Sequence, residues 1–505
     1  MSPSLPLVLL ACLFLYRAGA PSGSGITDPD YYWHVGYGEW ILEHGRLPEA
    51  DFWSWTFAGH PYRLTQWLGE TLMAVAHQIA GETGTSTLAA LLVTLTIGAT
   101  YRACRYALDN RLAALSIAIF CNATLISLPC RPHQFTHLGL AVLAWILTAY
   151  QHGNRRALYW LPPLFALWVN LHGGYAFGLF YLGMAAVFSA TGHYMSRDLP
   201  GLRVVSLPLF AVAGASLLAT LINPYGIGAW QYVIEIGSLK SSSAGIVDEW
   251  APTSIKTEAG LSFFLVVSAL SAVMAASRKR PSAEQILSAL ALSAIGWSAL
   301  RLSLMTTMLM APLLAASLRE SAFYDLAFAG QAQRFDRKIP LRAAFLAIAL
   351  SVGAAILMRP SDRLATQRFM AGKLPVDAVA FMKKKRLTGR ILNTPESGGY
   401  LIRRLGVKVS IDTRLDLYGD RALFDMLFAR RGDHGWASYV DSLAPDIVLI
   451  DNPPALRHLL ADGGKYRPVF EGSAYTVLVR QGFRTDLPTV PLTPTRLEFL
   501  NLLSS

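Results

Sequence analysis

The feature that most constrains this chain is a series of long apolar segments. About eleven of them approach the roughly 20 residues that a helix needs to cross a bilayer, all within the first 358 residues. They lie near 3–20, 86–101, 112–128, 135–150, 157–170, 173–191, 204–221, 259–276, 284–299, 302–318 and 342–358. Only 15% of the residues are charged, whereas soluble proteins carry about 25%. The sequence therefore predicts an α-helical polytopic membrane protein. The pair at 284–318, separated only by Arg301, could instead be one broken element.

Basic residues indicate how these segments are oriented. They cluster in every second connection, in the loops around 102–111, 155–156, 197–203, 278–280 and 319–342. Because basic loops stay on the cytoplasmic side, we expect the N-terminus in the cytoplasm and the alternate loops outside. The outward segments are then 21–85, 129–134, 171–172, 222–258, the turn at Arg301 and everything after 358. The same pattern accounts for the net charge of +11 without a nucleic-acid partner, because no basic stripe with interleaved aromatics occurs.

The first apolar segment has two interpretations. Its length suits a signal peptide, and "AGA" resembles a cleavage site. However, no basic residue precedes it and Arg17 lies at its outer end, which favours a retained helix. The 4 cysteines lie in or near apolar runs without metal-ligand spacing, so they are predicted to be packing residues.

The composition changes after about residue 360. "LPVDAVAFMKKKRLTG" is typical of an amphipathic helix, "RILNT" and "KVSIDTR" of short strands separated by a turn at "ESGGY", and "PDIVLIDNPP" and "AYTVLVR" of further strands. We therefore predict two domains. Residues 1–358 form the membrane domain with the long first loop 21–85, and residues 359–505 form a soluble α/β domain outside the membrane.

Polar side chains that could carry chemistry concentrate in the outward segments. Such groups beside a bilayer are costly and are functional candidates by default. They are Asp28, Asp30, His34 and Glu39 in the first loop, Arg131 and His133 in the second, Asn170 and His172 in the third, Asp248 and Glu249 in the fourth, and Arg301 alone.

Each candidate also has a structural interpretation. Asp28 and Asp30 flank Pro29, so one of them could cap a helix that starts near Tyr31. Arg131 and Arg301 could extend toward the membrane surface or grip a lipid phosphate.

The aromatic and histidine residues are equally open to two interpretations. His34, His133 and His172 are too scattered to predict a metal site with any force. The aromatic residues of the first loop could form an interfacial belt or stack on sugar rings; they are Tyr31, Tyr32, Trp33, Trp40, Trp53, Trp55 and Trp67.

The motifs together resemble a known group of proteins. "DPDYYWHVGYGEWILEHGRLPEADFWSWTFAGHPYRLTQWLGE" is similar to the first external loop of bacterial multispan glycosyltransferases of the GT-C superfamily. The resemblance continues in order through "RPHQF", "NLHGGYAFG", "NPYG", "DEW", a lone arginine, "SGGYLIRRL" and "IDTRLDLYGD". It covers nearly the whole chain and implies a GT-C-like membrane domain followed by a periplasmic C-terminal domain. It also implies location in the bacterial inner membrane.

The resemblance implies an enzyme that takes a sugar from polyprenyl phosphate or pyrophosphate. Relatives include protein O-mannosyltransferases, oligosaccharyltransferases and aminoarabinose transferases. An acidic residue soon after the first span is their usual catalytic group, and it corresponds here to Asp30 or Asp28. The acceptor is expected to be an envelope glycan, lipid or protein; the tail has no motif of the sequon-binding type, which argues against whole-glycan transfer to asparagine.

This resemblance leads to a mechanistic hypothesis. A lipid phosphate is a good leaving group that needs its charge neutralised, which Arg131 or Arg301 could do. Asp30 would be the base or orienting carboxylate, with Asp28, Glu39 or Asp248 as partners. A divalent cation such as Mg²⁺ or Mn²⁺ is an optional addition, with Asp28, Asp30 and His172 as its candidate ligands.

Three residues of the tail are further candidates. Asp412, Arg414 and Tyr418 could bind the acceptor, or Arg414 could pair with Asp412 or Asp416 to fix a turn.

Two other functions remain open from the sequence. A transporter or flippase of a polyprenyl-linked sugar would use the same interfacial residues without a catalytic base. A non-catalytic subunit of a polysaccharide assembly system would need the acids only as helix caps. The polar groups collect at one face rather than at mid-depth, and no internal repeat of the kind common in transporters is evident. These two observations favour the enzyme.

Overall fold

The chain forms two compact units. The computed structural model describes residues 4–19, 28–243, 248–324, 340–358, 374–452 and 455–493. The first unit comprises Met1–Ser24 and Thr65–Arg359, and the second comprises Gly25–Leu64 and Pro360–Ser505. The predicted domains placed the whole loop 21–85 with the membrane segments. In the structure, residues 25–64 instead belong to the same unit as the C-terminal residues.

Helices dominate the chain up to residue 358. In chain order they are α1 (Leu5–Gly19), α2 (Pro29–His44), α3 (Trp67–Ala107), α4 (Arg111–Cys121), α5 (His133–Gln151), α6 (Leu161–Leu171), α7 (Tyr175–Met195), α8 (Leu199–Ala219), α9 (Gly228–Ser243), α10 (Glu258–Ala275), α11 (Ala283–Ser298), α12 (Leu300–Arg319) and α13 (Leu341–Met358). Of these, α2 belongs to the second unit and the others to the first. Short 3₁₀ turns at Ala123–Ile126, Arg155–Trp160 and Asp248–Trp250 connect some of them.

Every predicted span coincides with one of the helices of the first unit. Among the described residues, α3, α7, α8, α10 and α12 are long and apolar enough to cross a membrane. The chain is thus a multi-pass membrane protein, while eleven crossings stay a prediction. The helix α3 begins at Trp67, well before the predicted start at 86, and is kinked at Ala80 and Gly81.

The region 284–318 forms two packed helices rather than one broken element. Ala299 is extended, with φ −158° and ψ 143°, and it separates α11 from α12. The two helices then pack against each other. A Cβ at Gly296 would lie 2.6 Å from the Thr306 hydroxyl oxygen, so the absent side chain allows the close approach.

A buried tryptophan shows how tightly the first unit packs. Trp168 on α6 is only 1% exposed. Cβ atoms built at Gly139 on α5 and Gly178 on α7 would approach its ring to 2.7 Å and 2.6 Å. Small residues at helix contacts are the usual route to close packing in membranes. The indole nitrogen of Trp168 donates to the Thr136 hydroxyl at 3.0 Å.

The second unit is built on a four-stranded sheet. Its strands are β1 (Ile391–Asn393), β2 (Ile447–Asp451), β3 (Tyr466–Glu471) and β4 (Tyr475–Arg480), in the order β1-β2-β4-β3. The strand β1 is parallel to β2, and the other pairs are antiparallel. This confirms the strands predicted at "RILNT", "PDIVLIDNPP" and "AYTVLVR". The surrounding helices are α14 (Val376–Lys384), α15 (Pro395–Leu405), α16 (Leu415–Arg431), α17 (Trp436–Leu443) and α18 (Leu456–Asp462).

Two predictions for the tail were wrong. "ESGGY" is not a turn but lies inside α15, because Pro395 begins the helix and the glycines pack against neighbouring backbone. A Cβ at Gly399 would lie 2.7 Å from the Pro29 carbonyl oxygen of α2. "KVSIDTR" is not a regular strand, since Val409 makes only isolated bridges, to Ser54 and to Ile391.

The bridge at Val409 connects the first loop to the tail. Val409 donates its N–H to the Trp53 carbonyl at 3.0 Å, and its own carbonyl accepts from Trp55 N–H at 2.9 Å. The residues 53–55 therefore pair with the tail as a short strand would.

A buried arginine at the centre of this unit joins the same two parts of the chain. The side chain of Arg414 is 0% exposed. Its Nε and Nη2 donate to the two carboxylate oxygens of Asp412 at 2.8 Å and 2.6 Å, and Nη1 donates to Asp51 at 2.8 Å. The hydroxyl of Tyr37 also accepts from Nη1.

Aromatic rings complete the enclosure of Arg414. Its guanidinium carbon lies 5.3–5.8 Å from the ring centroids of Tyr37, Trp53, Tyr62 and Tyr418. Burial acts to lower the pKa of Arg414, but Asp412, Tyr37 and Tyr418 together outweigh it and raise that pKa well above its usual value. The prediction that Arg414 pairs with Asp412 is confirmed. Because Asp412 and Arg414 are buried and bonded to each other, their geometry supports a structural role.

We expect Arg414 to be required for the stability of the second unit. Arg414→Met would leave Asp51 and Asp412 buried without their cation, which should cost about 3–5 kcal/mol. The matched control is Arg421→Met on α16, the helix that Arg414 precedes, because Arg421 is 95% exposed and its loss should change stability by less than about 0.5 kcal/mol. Unfolding of the detergent-solubilised protein, followed by tryptophan fluorescence, measures both. Equal stability of the two variants would show that the ion network is dispensable.

Candidate functional site

The first unit contains a cluster of two arginines that share one carboxylate. Glu249 accepts from Arg131 at 3.2 Å and from Arg301 at 2.6 Å. The side chains of Arg131 and Arg301 are 19% and 29% exposed. Neither arginine therefore simply extends toward the surface. Two guanidinium groups therefore converge on one carboxylate, and guanidinium groups are the side chains best suited to bind phosphate.

The loop that carries Glu249 is fixed by its backbone. The Ala251 carbonyl accepts from Leu300 N–H at 2.9 Å, and Thr253 N–H donates to the Trp297 carbonyl at 3.2 Å. Leu300 is the first residue of α12, and the first N–H of a helix has no partner within the helix. As a result Glu249 is held beside Arg301, and the Trp250 ring lies under the same guanidinium, 4.6 Å from it.

The two arginines determine the charge state of Glu249. Burial acts to raise the pKa of Glu249, but Arg301 and Arg131 outweigh it and the pKa is lowered. The carboxylate therefore stays ionised at neutral pH, and both arginines stay paired with it.

Histidines border the cluster. His172 follows α6, and its Nδ1 accepts from Gly174 N–H at 3.0 Å and lies 2.9 Å from the Thr136 hydroxyl. Its pKa is lowered to about 3, mainly by burial and further by Arg301 and His137. His172 is therefore neutral at pH 7 and carries its proton on Nε2, which suits it to donate rather than to act as a cation.

His133 and His137 lie one turn apart at the start of α5. Their ring centroids are 5.3 Å apart. His137 was not among the predicted site residues, although its spacing from His133 places both on one helix face.

One predicted residue, Asn170, makes its hydrogen bonds outside the cluster. Asn170 accepts from the Trp67 indole at 2.9 Å and donates to the carbonyls of Ala166 and Ile222, so it joins helices. Asp248 begins the 3₁₀ turn Asp248–Trp250, and its side chain lies outside the described part of the chain.

The two acids of "DPD" have different environments in the second unit. Asp28 is the N-cap of α2, is 7% exposed, and accepts from Asp30 N–H at 2.9 Å. Asp30 is half-buried in the first turn, and its carboxylate accepts from the Thr413 hydroxyl. The same hydroxyl accepts from the Trp33 indole at 3.0 Å. Capping thus accounts for Asp28 but not for Asp30.

The other first-loop candidates have structural partners. His34 is buried, and its ring lies 3.7 Å from that of Trp33. Glu39 accepts from Arg403 of α15 at 2.8 Å. The Glu39 bond therefore joins α2 to α15, whereas the ring contact of His34 is with its own neighbour on α2.

The prediction of an interfacial belt is wrong for three of the aromatics. Tyr31, Tyr32 and Trp33 are 2%, 3% and 5% exposed. They are buried because α2 packs against α15; Tyr32, for example, meets Tyr400 edge to face at 5.1 Å. They are unavailable for a lipid surface or for sugar stacking.

A metal site is not evident in the described ranges. Within 4–19, 28–243, 248–324, 340–358, 374–452 and 455–493, no three His, Cys, Asp or Glu side chains are grouped to hold an ion. The divalent cation stays an untested prediction.

Sequence reasoning missed Thr413 and Asp51, which contact Asp30 and Arg414 respectively. Thr413 stands within "IDTR" and Asp51 within "EADFW", motifs that carry the resemblance. However, nothing in either motif shows which distant residue it meets.

The shared carboxylate leads to a test of the first-unit cluster. Glu249→Gln and Arg301→Gln should not be additive, because each change removes the same interaction; we expect a coupling of at least about 0.5 kcal/mol. The control cycle is Lys279 with Glu320, a pair 3.0 Å apart whose lysine is 77% exposed and whose coupling should be smaller. Denaturation of the four variants of each cycle measures both. Additive effects at Glu249 and Arg301 would contradict the pairing.

Comparisons with known proteins complete this description. No family model matches the sequence, and no curated protein matches it either. Solved structures do match. A crystal structure of the Archaeoglobus fulgidus oligosaccharyltransferase, tethered to an acceptor peptide with the NVT sequon, has a TM-score of 0.54 at 13% identity and covers 98% of this chain and 76% of that one. The same organism's oligosaccharyltransferase AglB, in complex with an inhibitory peptide and a dolichol-phosphate, gives 0.52 at 13% identity with the same coverage.

A third structure, apo ArnT from Cupriavidus metallidurans, has a TM-score of 0.47 at 12% identity and covers 94% of this chain and 97% of that one. The fold assignment rests on the two archaeal structures. The chain has the fold of these oligosaccharyltransferases.

Proposed function

We propose that this protein is a membrane glycosyltransferase that moves a sugar from a polyprenyl phosphate or pyrophosphate to an acceptor hydroxyl. The observation that carries the proposal is the fold, shared over 98% of the chain with an oligosaccharyltransferase solved with a dolichol-phosphate and a peptide. The acceptor would be an envelope glycan, lipid or protein on the periplasmic side of the inner membrane.

The arginine cluster supports the binding of a lipid phosphate. Arg131 and Arg301 both contact Glu249, and guanidinium groups recognise phosphate through paired N–H donors. When the glycosidic bond breaks, its electron pair stays on the phosphate oxygen. A partly buried pair of guanidinium groups stabilises that developing charge more than water would.

Asp30 supports the activation of the acceptor. In the proposed step the acceptor oxygen attacks the anomeric carbon, the bond from that carbon to the phosphate breaks, and the acceptor proton passes to Asp30 and then to water. A carboxylate suits this role if it reaches the proton directly. The Thr413 hydroxyl, which donates to Asp30, would fix the orientation of the carboxylate.

The two acids of "DPD" supply a matched test of the base. Asp30→Asn should reduce sugar transfer by at least about 10²-fold, the range expected for loss of a general base. Asp28→Asn should keep most of the activity, because asparagine caps a helix as well as aspartate does. Purified protein in vesicles with a labelled polyprenyl-phosphate-sugar pool measures both. Full activity of Asp30→Asn would remove Asp30 from the mechanism, and movement of the donor across the vesicle without transfer would indicate a flippase.

The arginines should act on the donor. Arg301→Gln and Arg131→Gln should raise the KM for the lipid donor and lower kcat/KM, because each removes charge that neutralises phosphate. Arg319→Gln is the control and should leave the donor KM unchanged. Arg319 pairs with Asp109 at 3.3 Å, and its segment is predicted to be cytoplasmic, on the opposite side from the proposed site. A donor KM unchanged in both cluster variants would argue against phosphate binding there.

A further inference from the structure

A cavity of about 530 Å³ lies where α5 ends and α6 begins. Its walls are mainly apolar and include Trp145, Ile146, Leu164 and Leu167, while Arg156 lies among the few polar residues of the lining. This volume is in the range of sites that hold a ligand.

The cavity is separate from the arginine cluster of the first unit. That cluster lies at the start of α5, beside His133, and the cavity lies at the other end, beside Ala149. A helix of 19 residues is about 28 Å long at 1.5 Å per residue. The lining residues on α5 run from Val142 to Ala149, which places them about 14–24 Å along the helix axis from His133 at 1.5 Å per residue.

Positive charge lines the cavity and its edge. Arg156 is exposed, and the guanidinium of Arg102 lies 5.7 Å from the Trp145 ring. No carboxylate is among the described residues that line the cavity. Trp160, also in the lining, is 70% exposed, as expected of an aromatic residue at a membrane interface.

We propose that this cavity binds an anionic phospholipid. One acyl chain lies against the apolar wall, where burial from water is favourable, and the phosphate lies at Arg156 and Arg102. Basic pockets between spanning helices on the cytoplasmic side are suited to anionic head groups, and these loops are the ones that the charge pattern places there. The proposal does not depend on glycosyltransferase activity.

A charge variant tests the head group. Full-length protein in detergent is titrated with phosphatidylglycerol or phosphatidylcholine of identical acyl chains, and retained lipid is counted by native mass spectrometry. Wild type should retain phosphatidylglycerol at least about threefold better, a difference that a single well-placed charge contact can supply. Arg156→Gln should abolish this preference, whereas Arg280→Gln, an exposed arginine in another basic loop, should keep it.

A cavity-filling variant tests the acyl chain. Leu167→Trp should reduce retention of both lipids, because Leu167 lines the cavity and its 53% exposure allows a larger side chain without disturbing the core. Leu218→Trp, at a residue 67% exposed and outside the lining, should not. Equal retention of the two lipids by wild type, or unchanged retention by Leu167→Trp, would overturn the proposal.

Discussion

The second unit depends on the pairing of one buried guanidinium. Arg414 is 0% exposed, and an unpaired charge in such a place would cost several kcal/mol. Its partners come from both ends of the chain, since Asp51 and Tyr37 belong to the first loop and Asp412 to the tail. The tail supplies one carboxylate and the first loop supplies the other, so Arg414 makes its full set of bonds when the two segments fold together, and residues 25–64 belong to this unit.

That constraint also sets the position of the acidic motif. Tyr37 lies on α2, so its bond to Arg414 fixes the helix whose first turn carries Asp30. The helix α15 approaches the same turn, and Gly399 lies too near the Pro29 carbonyl to accept a side chain. Thr413, adjacent to Arg414 in sequence, then reaches Asp30. The ion network and the candidate base are thus parts of one arrangement.

The sequence predicted what local patterns determine. Apolar length located the helices that coincide with the predicted spans, although not α9, because a spanning helix must satisfy its own backbone within one continuous segment. The strand Ile447–Asp451 was found because a short continuous apolar run is typical of a buried strand. "ESGGY" was misread because glycines usually signal turns, and only the position of Pro29 shows that the space they leave lets α15 approach α2.

Pairings between distant residues were harder to predict, and they decide the candidate site. The charge on Glu249 was visible in the sequence, but its position between Arg131 and Arg301 depends on the extended Ala299 and the fixed loop after Trp250. In the same way, the sequence left Asp28 and Asp30 equivalent around Pro29. The structure distinguishes them through one bond, because an acid whose oxygen already accepts the second helical N–H is explained by the helix. Asp30 lies one position inside the helix, and its carboxylate accepts from Thr413 of the tail instead, so only Asp30 is held by a contact between distant parts of the chain among the described contacts of the two acids.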